Sequence, residues 1–269
     1  MNNFSHNKIN HQPIGIFDSG VGGLSIAKCI SQILPNESLI YVADSAHAPY
    51  GQLTVEAIQQ QAKTITSWLV EQQSKAIVVA CNTATVNAID LLRQELTIPI
   101  IGVEPAIKPA AQLSKNKKVA ILVTRATAKN QRFLQLVERY KHTSQVIVQA
   151  CPGLVELVET GQTQSAACYQ LLKKYLLPLM EKEVDTLVLG CTHYPFLRQQ
   201  INQITEHTMT VMETAMPVSE QLHRRLTSTN LLSNSLLTPH RFLSTKHSSA
   251  QQDIFNTLWQ QSIPLEILN

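Results

Sequence analysis

The sequence predicts an α/β fold with two similar open parallel-sheet domains that face each other across a central cleft. Short β-branched runs alternate along the chain with amphipathic helical stretches, which is typical of βα units and a largely parallel sheet. The run from Ala76 to Ala80 is apolar at every position, as expected for a strand that helices cover on both faces. The chain length of 269 residues allows one large domain or two modest ones.

The order of the predicted elements follows from their periodicity. Leu24, Ala27, Ile30 and Leu34 have helical spacing and are followed by Pro35, so we predict a helix that ends there. Longer helices are predicted over residues 54–73 and from about 166 to 182. The eight predicted strands span residues 14–17, 39–43, 76–80, 100–103, 119–123, 146–150, 186–190 and 209–212.

Eight βα units fit either one closed eight-stranded barrel or two smaller open sheets. A short internal similarity favours the second arrangement, because IVVACNTA (residues 77–84) resembles LVLGCTHY (residues 187–194). After about residue 227 the chain is rich in Ser, Thr, Asn and Leu, and a short strand (241–243) and a helix (250–260) then follow. We expect this tail to pack on the first half. The predicted domains are residues 1–105 plus 214–269, and residues 106–213.

The charge balance of 22 basic and 19 acidic residues gives a net charge of +3, which is too weak to imply nucleic-acid or membrane binding. The polar N-terminal segment lacks the apolar core of a signal peptide, and no apolar run is long enough to cross a bilayer. Five widely spaced cysteines, an odd number, indicate reduced thiols. We therefore expect a cytoplasmic protein.

Polar, reactive or glycine-rich segments follow four of the predicted strands. Ligands of open α/β sheets bind outside the carboxyl ends of the strands, so these segments predict the position of a site. They are residues 18–23, 44–51, 81–85 and 191–195.

Cys81 and Cys191 are the strongest candidates for reactive groups, because each lies in one of the two similar strand–helix turns. A thiol that opens a helix faces the positive end of the helix dipole, which predicts a pKa below the ordinary value of about 8.5. Cys29 and Cys168 fall within predicted helices and are interpreted as small buried apolar residues. Cys151, which precedes Pro152-Gly153, could be either a reactive thiol or a small buried apolar residue.

The two thiols lack enough further metal ligands at short spacing, which argues against a zinc site. They also lack a Cys-x-x-Cys spacing, which argues against a redox pair. A single-nucleophile hydrolase would need only one cysteine. Two thiols on opposite walls of a cleft fit a two-base racemisation, in which one removes the α-proton and the other returns a proton on the opposite face. Asp18 and His193 are the candidate helpers, although Asp18 could instead cap the glycine-rich turn and His193 could be a helix-start residue.

A substrate carboxylate would need hydrogen-bond donors. Backbone amides at helix starts supply them, and Tyr50 and Gly51 lie in a Pro-Tyr-Gly segment that suits a tight turn with exposed amides or an ordinary turn. The candidate side-chain donors are Ser19, Asn82, Thr83 and Thr192.

Nucleotide binding is the main competing interpretation. Gly20-Val21-Gly22-Gly23 follows a strand and opens a helix, and Asp44 lies about where a ribose-binding acid would. A G-x-G-x-x-G match would require glycine at Ser25, however, and Asp18 would place a negative charge near the pyrophosphate. No Gly-Lys-Ser/Thr follows, which excludes a Walker A loop.

Four segments together have a specific pattern: Asp18-Ser19-Gly20-x-Gly22-Gly23, Pro49-Tyr50-Gly51, Cys81-Asn82-Thr83-Ala84-Thr85 and Cys191-Thr192-His193-Tyr194-Pro195. In order and spacing they resemble the glutamate racemases of the aspartate/glutamate racemase family, and the resemblance covers nearly the whole chain from about Ile14. It implies two α/β domains with the site between them and no pyridoxal phosphate, metal or nucleotide cofactor.

The resemblance also implies roles for individual residues. Cys81 would act on D-glutamate and Cys191 on L-glutamate, while Asp44 and Glu159 would have supporting roles. The implied biology is a cytoplasmic, often dimeric isomerase that supplies D-glutamate for peptidoglycan, and hence for cell-wall biogenesis and cell shape. The implied substrate contacts are Asp18, Ser19, Tyr50, Gly51, Asn82, Thr83, Thr192 and His193.

Two departures from the family pattern could alter the rim of the cleft. His47 stands where an arginine is common, and Thr124-Arg125-Ala126-Thr127 lacks a glycine that is often found between those threonines. An aspartate or broad-range racemase is therefore an alternative function. Aspartate and glutamate differ by one methylene group, and such a difference in a pocket is worth only about 1–3 kcal/mol of binding free energy. The alternative from another class is a non-catalytic nucleotide-binding or protein-interaction module.

Overall fold

The computed structural model describes residues 10–235 and 238–268, and this part of the chain forms two parallel sheets. The strands are β1 Ile14–Asp18, β2 Leu39–Ala43, β3 Ala76–Val79, β4 Ile100–Gly102, β5 Lys118–Val123, β6 Gln145–Ala150, β7 Thr186–Leu189, β8 Thr210–Met212, β9 Arg241–Ser244 and β10 Leu265–Ile267. The α-helices are α1 Leu24–Ile33, α2 Val55–Glu71, α3 Asn82–Glu95, α4 Ile107–Leu113, α5 Arg125–Lys129, α6 Gln131–Glu138, α7 Leu154–Glu159, α8 Ala166–Glu181, α9 Arg198–Ile204, α10 Ala215–Ser228 and α11 Ser249–Trp259.

The same strand order occurs in both sheets. The six-stranded sheet has the order β10-β9-β2-β1-β3-β4, and the four-stranded sheet has the order β6-β5-β7-β8. The segment β2-β1-β3-β4 thus corresponds strand by strand to β6-β5-β7-β8, and every strand pair is parallel. Cys81 and Cys191 each follow the third strand of their unit, so the short similarity between residues 77–84 and 187–194 reflects a repeated topology.

These sheets confirm the predicted fold class and exclude the single closed barrel. The tail returns to the first sheet as predicted, because β9 pairs with β2. Strand β10, which pairs with β9, was not predicted, since three residues are too few to show a periodic pattern. The domain boundaries at 105/106 and 213/214 remain predictions, and the ends assigned to the first domain, residues 1–9 and 269, lie outside the described residues.

The buried strands β1 and β3 are covered on both faces. All five residues of β1 and all four of β3 are buried. Along β3, Val78 belongs to the apolar cluster that contains Leu24 of α1, whereas Ile77 and Val79 belong to the cluster that contains Ile58 of α2. Burial of one such side chain contributes roughly 1.5–3 kcal/mol, so helices on both faces hold the strand ends in fixed positions.

No helix within residues 10–235 and 238–268 combines the length and the apolar character that crossing a membrane would require.

Candidate active site

The two sheets bring polar side chains together at the carboxyl ends of their central strands. Asp18 is the last residue of β1, and Cys81 follows the adjacent strand β3. The Thr192 hydroxyl, from the second half of the chain, donates to Asp18 Oδ2 at 3.2 Å. The Thr83 and Thr124 hydroxyl oxygens, also from opposite halves, lie 3.0 Å apart. The predicted site residues at these strand ends therefore converge across the boundary between the sheets.

Cys81 caps helix α3. Its Sγ accepts a hydrogen bond from the Ala84 backbone N–H at 3.4 Å and lies 3.7 Å from Ser19 Oγ. Burial raises the pKa of the Cys81 thiol well above its ordinary value, and the Asp18 carboxylate raises it further. The position at a helix start is as predicted, but the predicted lowering of the pKa is wrong, because desolvation outweighs the helix amides.

Cys191 is equally buried but does not open an α-helix. Two turn residues and the 3-10 helix Tyr194–Leu197 follow it, and α9 begins only at Arg198. The nearest polar partner of its Sγ is His193, whose Nδ1 lies 3.8 Å away. The predicted helix-start setting is therefore wrong for Cys191, and an imidazole replaces the helix amides as its neighbour.

His193 connects Cys191 to the partly buried carboxylate of Glu159. Its Nε2 lies 2.6 Å from Glu159 Oε1, and its side chain makes no capping hydrogen bond to the backbone. Although burial lowers the pKa of His193, the hydrogen bonds with Cys191 and Glu159 outweigh that effect and raise it well above the ordinary value. A protonated imidazole between a thiol and a carboxylate can pass a proton to or from the thiol.

The glycine-rich turn of the first half packs directly against this pair. The Val21 backbone N–H donates to Glu159 Oε1 at 2.8 Å. A Cβ added to Gly20 would lie 1.8 Å from Glu159 Oε1, and one added to Gly22 would lie 2.2 Å from His193 Nδ1. The absence of side chains here permits close approach of the two halves. A carboxylate occupies the position where a nucleotide-binding turn would receive a phosphate, which argues against the nucleotide alternative.

Asp18 both holds the turn and faces the site. Its Oδ1 accepts from the Ser19 N–H at 2.8 Å and its Oδ2 from the Gly23 N–H at 2.5 Å. Complete burial raises the pKa of Asp18, although the charge on His193 acts to lower it. The Ser19 hydroxyl lies between this carboxyl group and Cys81, 3.4 Å from Asp18 Oδ1 and 3.7 Å from Cys81 Sγ. The capping and site interpretations of Asp18 are therefore compatible.

Asn82 presents a buried amide whose side-chain atoms have no partner among the described residues. The residue is only 2% exposed, and neither its Oδ1 nor its Nδ2 makes a hydrogen bond within that part of the chain. An unsatisfied buried group of this kind costs about 1–3 kcal/mol. Such a cost is expected where a polar ligand completes the hydrogen bonds.

Three threonine hydroxyls form a cluster that includes the next residue, Thr83. Thr83 Oγ1 lies 3.0 Å from Thr124 Oγ1 and 3.3 Å from Thr127 Oγ1. Thr124 caps α5 by accepting from the Thr127 N–H. The sequence predicted a role for Thr83 but not for Thr124 or Thr127. The signal in the sequence was that Thr124 follows an apolar strand and precedes Thr127 by three residues, which is the spacing of an N-cap hydrogen bond.

Tyr50 and Asp44 form a separate buried unit next to the site. The Tyr50 hydroxyl donates to Asp44 Oδ2 at 2.7 Å, while Asp44 Oδ1 accepts from Thr245 Oγ1 at 2.9 Å and lies 2.8 Å from His47 Nδ1. Asp44 therefore contacts the Tyr50–Gln52 3-10 helix rather than either thiol. Gly51 in that helix lines, together with Thr124 and Cys151, a cavity of about 50 Å³.

The other cysteines have apolar or backbone surroundings. Cys29 is half-buried in α1, and Cys168 is buried in the first turn of α8. Cys151 is buried after β6, and its Sγ contacts the Gln149 carbonyl at 3.4 Å. Burial, with a smaller effect of the charge on Cys191, raises the pKa of Cys151. Throughout the described ranges, no group of three or more His, Cys, Asp or Glu residues is arranged to hold a metal ion.

Comparison with known proteins places this chain among racemases. The profile of the family described as Asp/Glu/Hydantoin racemase matches residues 14–215. A glutamate racemase of Methylococcus capsulatus is 48% identical over 84% of this chain and 84% of its own length. One from Ralstonia nicotianae is 46% identical over 87% of this chain and 84% of its own length.

Solved structures show the same fold. A glutamate racemase isoform of Bacillus anthracis superposes with a TM-score of 0.88 at 32% identity, covering 97% of this chain and 98% of its own. A glutamate racemase of Francisella tularensis, solved in complex with D-glutamate, superposes with a TM-score of 0.85 at 31% identity and with the same coverage of both chains.

Proposed function

The chain belongs to the Asp/Glu/hydantoin racemase family of isomerases, and from this premise we propose that it interconverts L-glutamate and D-glutamate by proton transfer between Cys81 and Cys191. The observation that carries the proposal is the equivalent placement of two buried thiols after β3 and β7. The charge on Cys191 is also a minor cause of the raised pKa of Cys81. The names of the relatives at 46% and 48% identity support glutamate as the substrate.

Each direction of the reaction would use the thiols in opposite roles. With D-glutamate, the Cys81 thiolate removes the α-hydrogen as a proton, and the Cys191 thiol donates its proton to the other face of the carbanion. With L-glutamate, Cys191 is the base and Cys81 the acid. A raised pKa makes the Cys81 thiolate a stronger base towards a weakly acidic α-carbon, provided that a neighbour accepts the thiol proton first. Asp18 is the candidate acceptor.

The Cys191 side would be served by His193. A protonated imidazole returns a proton to Cys191 after that thiol has protonated the carbanion, and a neutral imidazole accepts one before Cys191 acts as a base. Glu159 stabilises the charged imidazole, so it would act as a positioning residue behind His193.

The substrate carboxylates would be bound by the amide of Asn82, by backbone amides and by threonine hydroxyls. Asn82 supplies an amide without a partner in the described chain, and it is the first residue of α3, where backbone amides can donate to an anion. The hydroxyls of Thr83, Thr124 and Thr127 add three rotatable donors. Tyr50 would shape the pocket through its ring, because its hydroxyl donates to Asp44.

The wider role that we propose is supply of D-glutamate for peptidoglycan in the cytoplasm, by an enzyme that needs no pyridoxal phosphate, metal or nucleotide and that works as a homodimer. Light scattering of the purified protein would test the dimer. An aspartate or broad-range racemase is the alternative, and side-by-side kinetics on both amino acids would decide between them.

Exchange of the α-hydrogen in heavy water tests the reaction itself. Either glutamate enantiomer should gain deuterium at Cα, and Cys81→Ala or Cys191→Ala should each reduce racemisation by at least about 10²–10⁴-fold, the range expected for loss of an acid–base group. Cys168→Ala, which removes a buried thiol in α8, should retain activity. Normal racemisation with only one of the two proposed thiols would overturn the two-base scheme.

A further inference from the structure

A buried tyrosine of the first sheet binds the glycine-rich turn. Tyr41 lies in the middle of β2 and is fully buried, and its hydroxyl donates to the Gly20 carbonyl oxygen at 2.6 Å. A carbonyl oxygen can only accept, so the direction of this hydrogen bond is fixed. Burial, with smaller effects of the charges on Asp18 and Glu159, raises the pKa of Tyr41 well above its ordinary value. The hydroxyl therefore keeps its proton and remains a donor at neutral and moderately alkaline pH.

The ring of Tyr41 is held in place by the tail of the chain. Its centroid lies 6.3 Å from that of Phe242 on β9 and 6.1 Å from that of Phe255 on α11, the latter in an edge-to-face arrangement. Phe242 in turn packs against Trp259 with a centroid separation of 4.8 Å. Aromatic pairs at these separations stabilise one another. Tyr41→Phe therefore removes the hydrogen bond to the turn and leaves the packing of the ring in place.

The carbonyl group that Tyr41 binds belongs to the same peptide group as a donor to the second half of the site. The Gly20 C=O and the Val21 N–H are parts of one planar trans peptide, in which they point in opposite directions. The Val21 N–H donates to Glu159 Oε1 at 2.8 Å, and His193 Nε2 lies 2.6 Å from the same oxygen. A continuous series of hydrogen bonds thus runs from the tyrosine through one peptide group and one carboxylate to the imidazole.

We propose that Tyr41 is a positioning residue that controls, through this peptide group, how strongly Glu159 holds the protonated imidazole of His193. A hydroxyl that donates to a peptide carbonyl polarises the peptide and makes its N–H a stronger donor. The Val21 N–H then withdraws more charge from the carboxylate oxygen that also receives the imidazole N–H. Tyr41 thereby weakens the hold of Glu159 on the protonated imidazole.

The ionisable groups that face His193 come from three other parts of the site. Its Nε2 faces Glu159, its Nδ1 lies 3.8 Å from Cys191 Sγ, and its charge also acts on the Asp18 carboxyl group. Tyr41→Phe leaves all three groups in place, so the route through Glu159 can be tested by removing the Glu159 charge. In the proposed racemisation, on which this step rests, a less tightly held imidazolium returns its proton to Cys191 more readily.

NMR titration of His193 in histidine-labelled protein tests the proposal, with the signal assigned by its loss in His193→Gln. In Tyr41→Phe the Val21 N–H is a weaker donor, so the pKa of His193 should rise by about 0.3–1 pH unit, a part of the effect of losing a whole hydrogen bond to a charged group. The alkaline limb of the pH profile of kcat/KM should move to higher pH by the same amount. In the Glu159→Gln background, Tyr41→Phe should add no further shift to either quantity.

Tyr175→Phe is the matched control. Tyr175 is 7% exposed, and its hydroxyl donates to the Pro152 carbonyl at 2.7 Å, so the variant loses an equivalent hydrogen bond at another place. It should lose about as much stability in urea as Tyr41→Phe does. The pKa of His193 and the alkaline limb should both stay in place.

The outcomes separate this proposal from the proposed function. A His193 pKa that is unchanged or lower in Tyr41→Phe overturns the proposal, and so does an equal rise in the Glu159→Gln background or in Tyr175→Phe. The titration needs no turnover, so it decides on the hydrogen-bond route even if the wild type does not racemise glutamate, a result that would contradict the proposed function alone. A shift in the titration without a shift of the alkaline limb overturns the effect on the reaction.

Discussion

At the scale of single residues, the two thiols have equivalent positions and different partners. Cys81 contacts the Ala84 N–H, Ser19 and the buried Asp18, whereas Cys191 contacts His193 and, through it, Glu159. A carboxylate beside one thiol makes its deprotonation harder, and an imidazole beside the other can exchange a proton with it. The two thiols therefore have different partners for proton exchange.

Replacement of Glu159 by Gln should shift the pH dependence. The mutation keeps the size of the side chain but removes the charge that helps to hold the pKa of His193 above its ordinary value. The pKa of His193 then falls, so the imidazole loses its proton at a lower pH. The alkaline limb of the pH profile of kcat/KM should therefore move to lower pH. Glu156→Gln, one turn earlier on α7, should leave the limb in place. Equal shifts in both variants would contradict this role.

The Asn82 amide, which has no hydrogen-bond partner among the described residues, predicts opposite effects on stability and activity. Asn82→Leu removes this buried polar group, so the ligand-free protein should be as stable as the wild type or more stable by up to about 1–3 kcal/mol. Its KM for glutamate should rise. Asn87→Leu on the same helix removes hydrogen bonds to the Thr83 carbonyl and to Asn130, and it should destabilise the protein. Urea unfolding and initial rates measure both effects.

At the scale of secondary-structure elements, the turn between β1 and α1 joins the two halves of the site. Gly20 and Gly22 allow this turn to approach Glu159 and His193 closely, and the Val21 N–H donates to the same carboxylate. The sequence showed the glycines but not the second-half side chains that fill their space. The glycine pattern alone therefore also fitted a nucleotide-binding turn, which was the alternative to a racemase.

Gly22→Ala should harm activity more than stability. The added Cβ would lie 2.2 Å from His193 Nδ1, so the imidazole must move away from Cys191. A displacement of about 1 Å in such a site can cost about 10²-fold in rate, while overpacking costs about 1–3 kcal/mol of stability. Gly102→Ala crowds the Thr85 methyl group at 2.7 Å, away from His193, and serves as the control. Comparable activity losses in both variants would exclude a specific effect on the imidazole.

Strands and helix starts were predictable for different reasons. Strand β3 is apolar at every position and β1 at every position before Asp18, so their place was visible in the sequence to within a residue or two. The helical start after Cys81 was also visible. The start after Cys191 was not, because Pro195 and the following residues form a 3-10 helix before α9 begins.

At the scale of the whole molecule, the returning tail is anchored by a buried ion pair. Lys75 Nζ lies 2.6 Å from Glu37 Oε2 and also donates to the Asn10 carbonyl. Glu37 Oε1 accepts from the Ser233 N–H at 2.8 Å. Burial lowers the pKa of Lys75, although its contacts with Glu37 act to raise it. Two side chains thus connect the segment before β1, the start of β3 and the tail.

Lys75→Met should destabilise the protein by about 3–5 kcal/mol, because it leaves the Glu37 carboxylate buried without its cation. The double variant Lys75→Met/Glu37→Leu should lose less, since both charges are removed together. Lys63→Met, which breaks the exposed pair with Glu95, should change stability by less than about 1 kcal/mol. Urea unfolding measures all three, and a double variant that is less stable than Lys75→Met would contradict the account.

The sequence by itself determined the α/β class, the order of the central strands along the chain and the two turns that carry Cys81 and Cys191, because burial on both faces and repeated strand–turn segments leave a local pattern. Only the tertiary structure decided which thiol meets Asp18 and which meets His193, that Glu159 supports the imidazole, and that Thr124 joins Thr83. Those contacts join residues far apart in the chain, so the cost of desolvation and the partner atoms that offset it arise only when the two sheets come together.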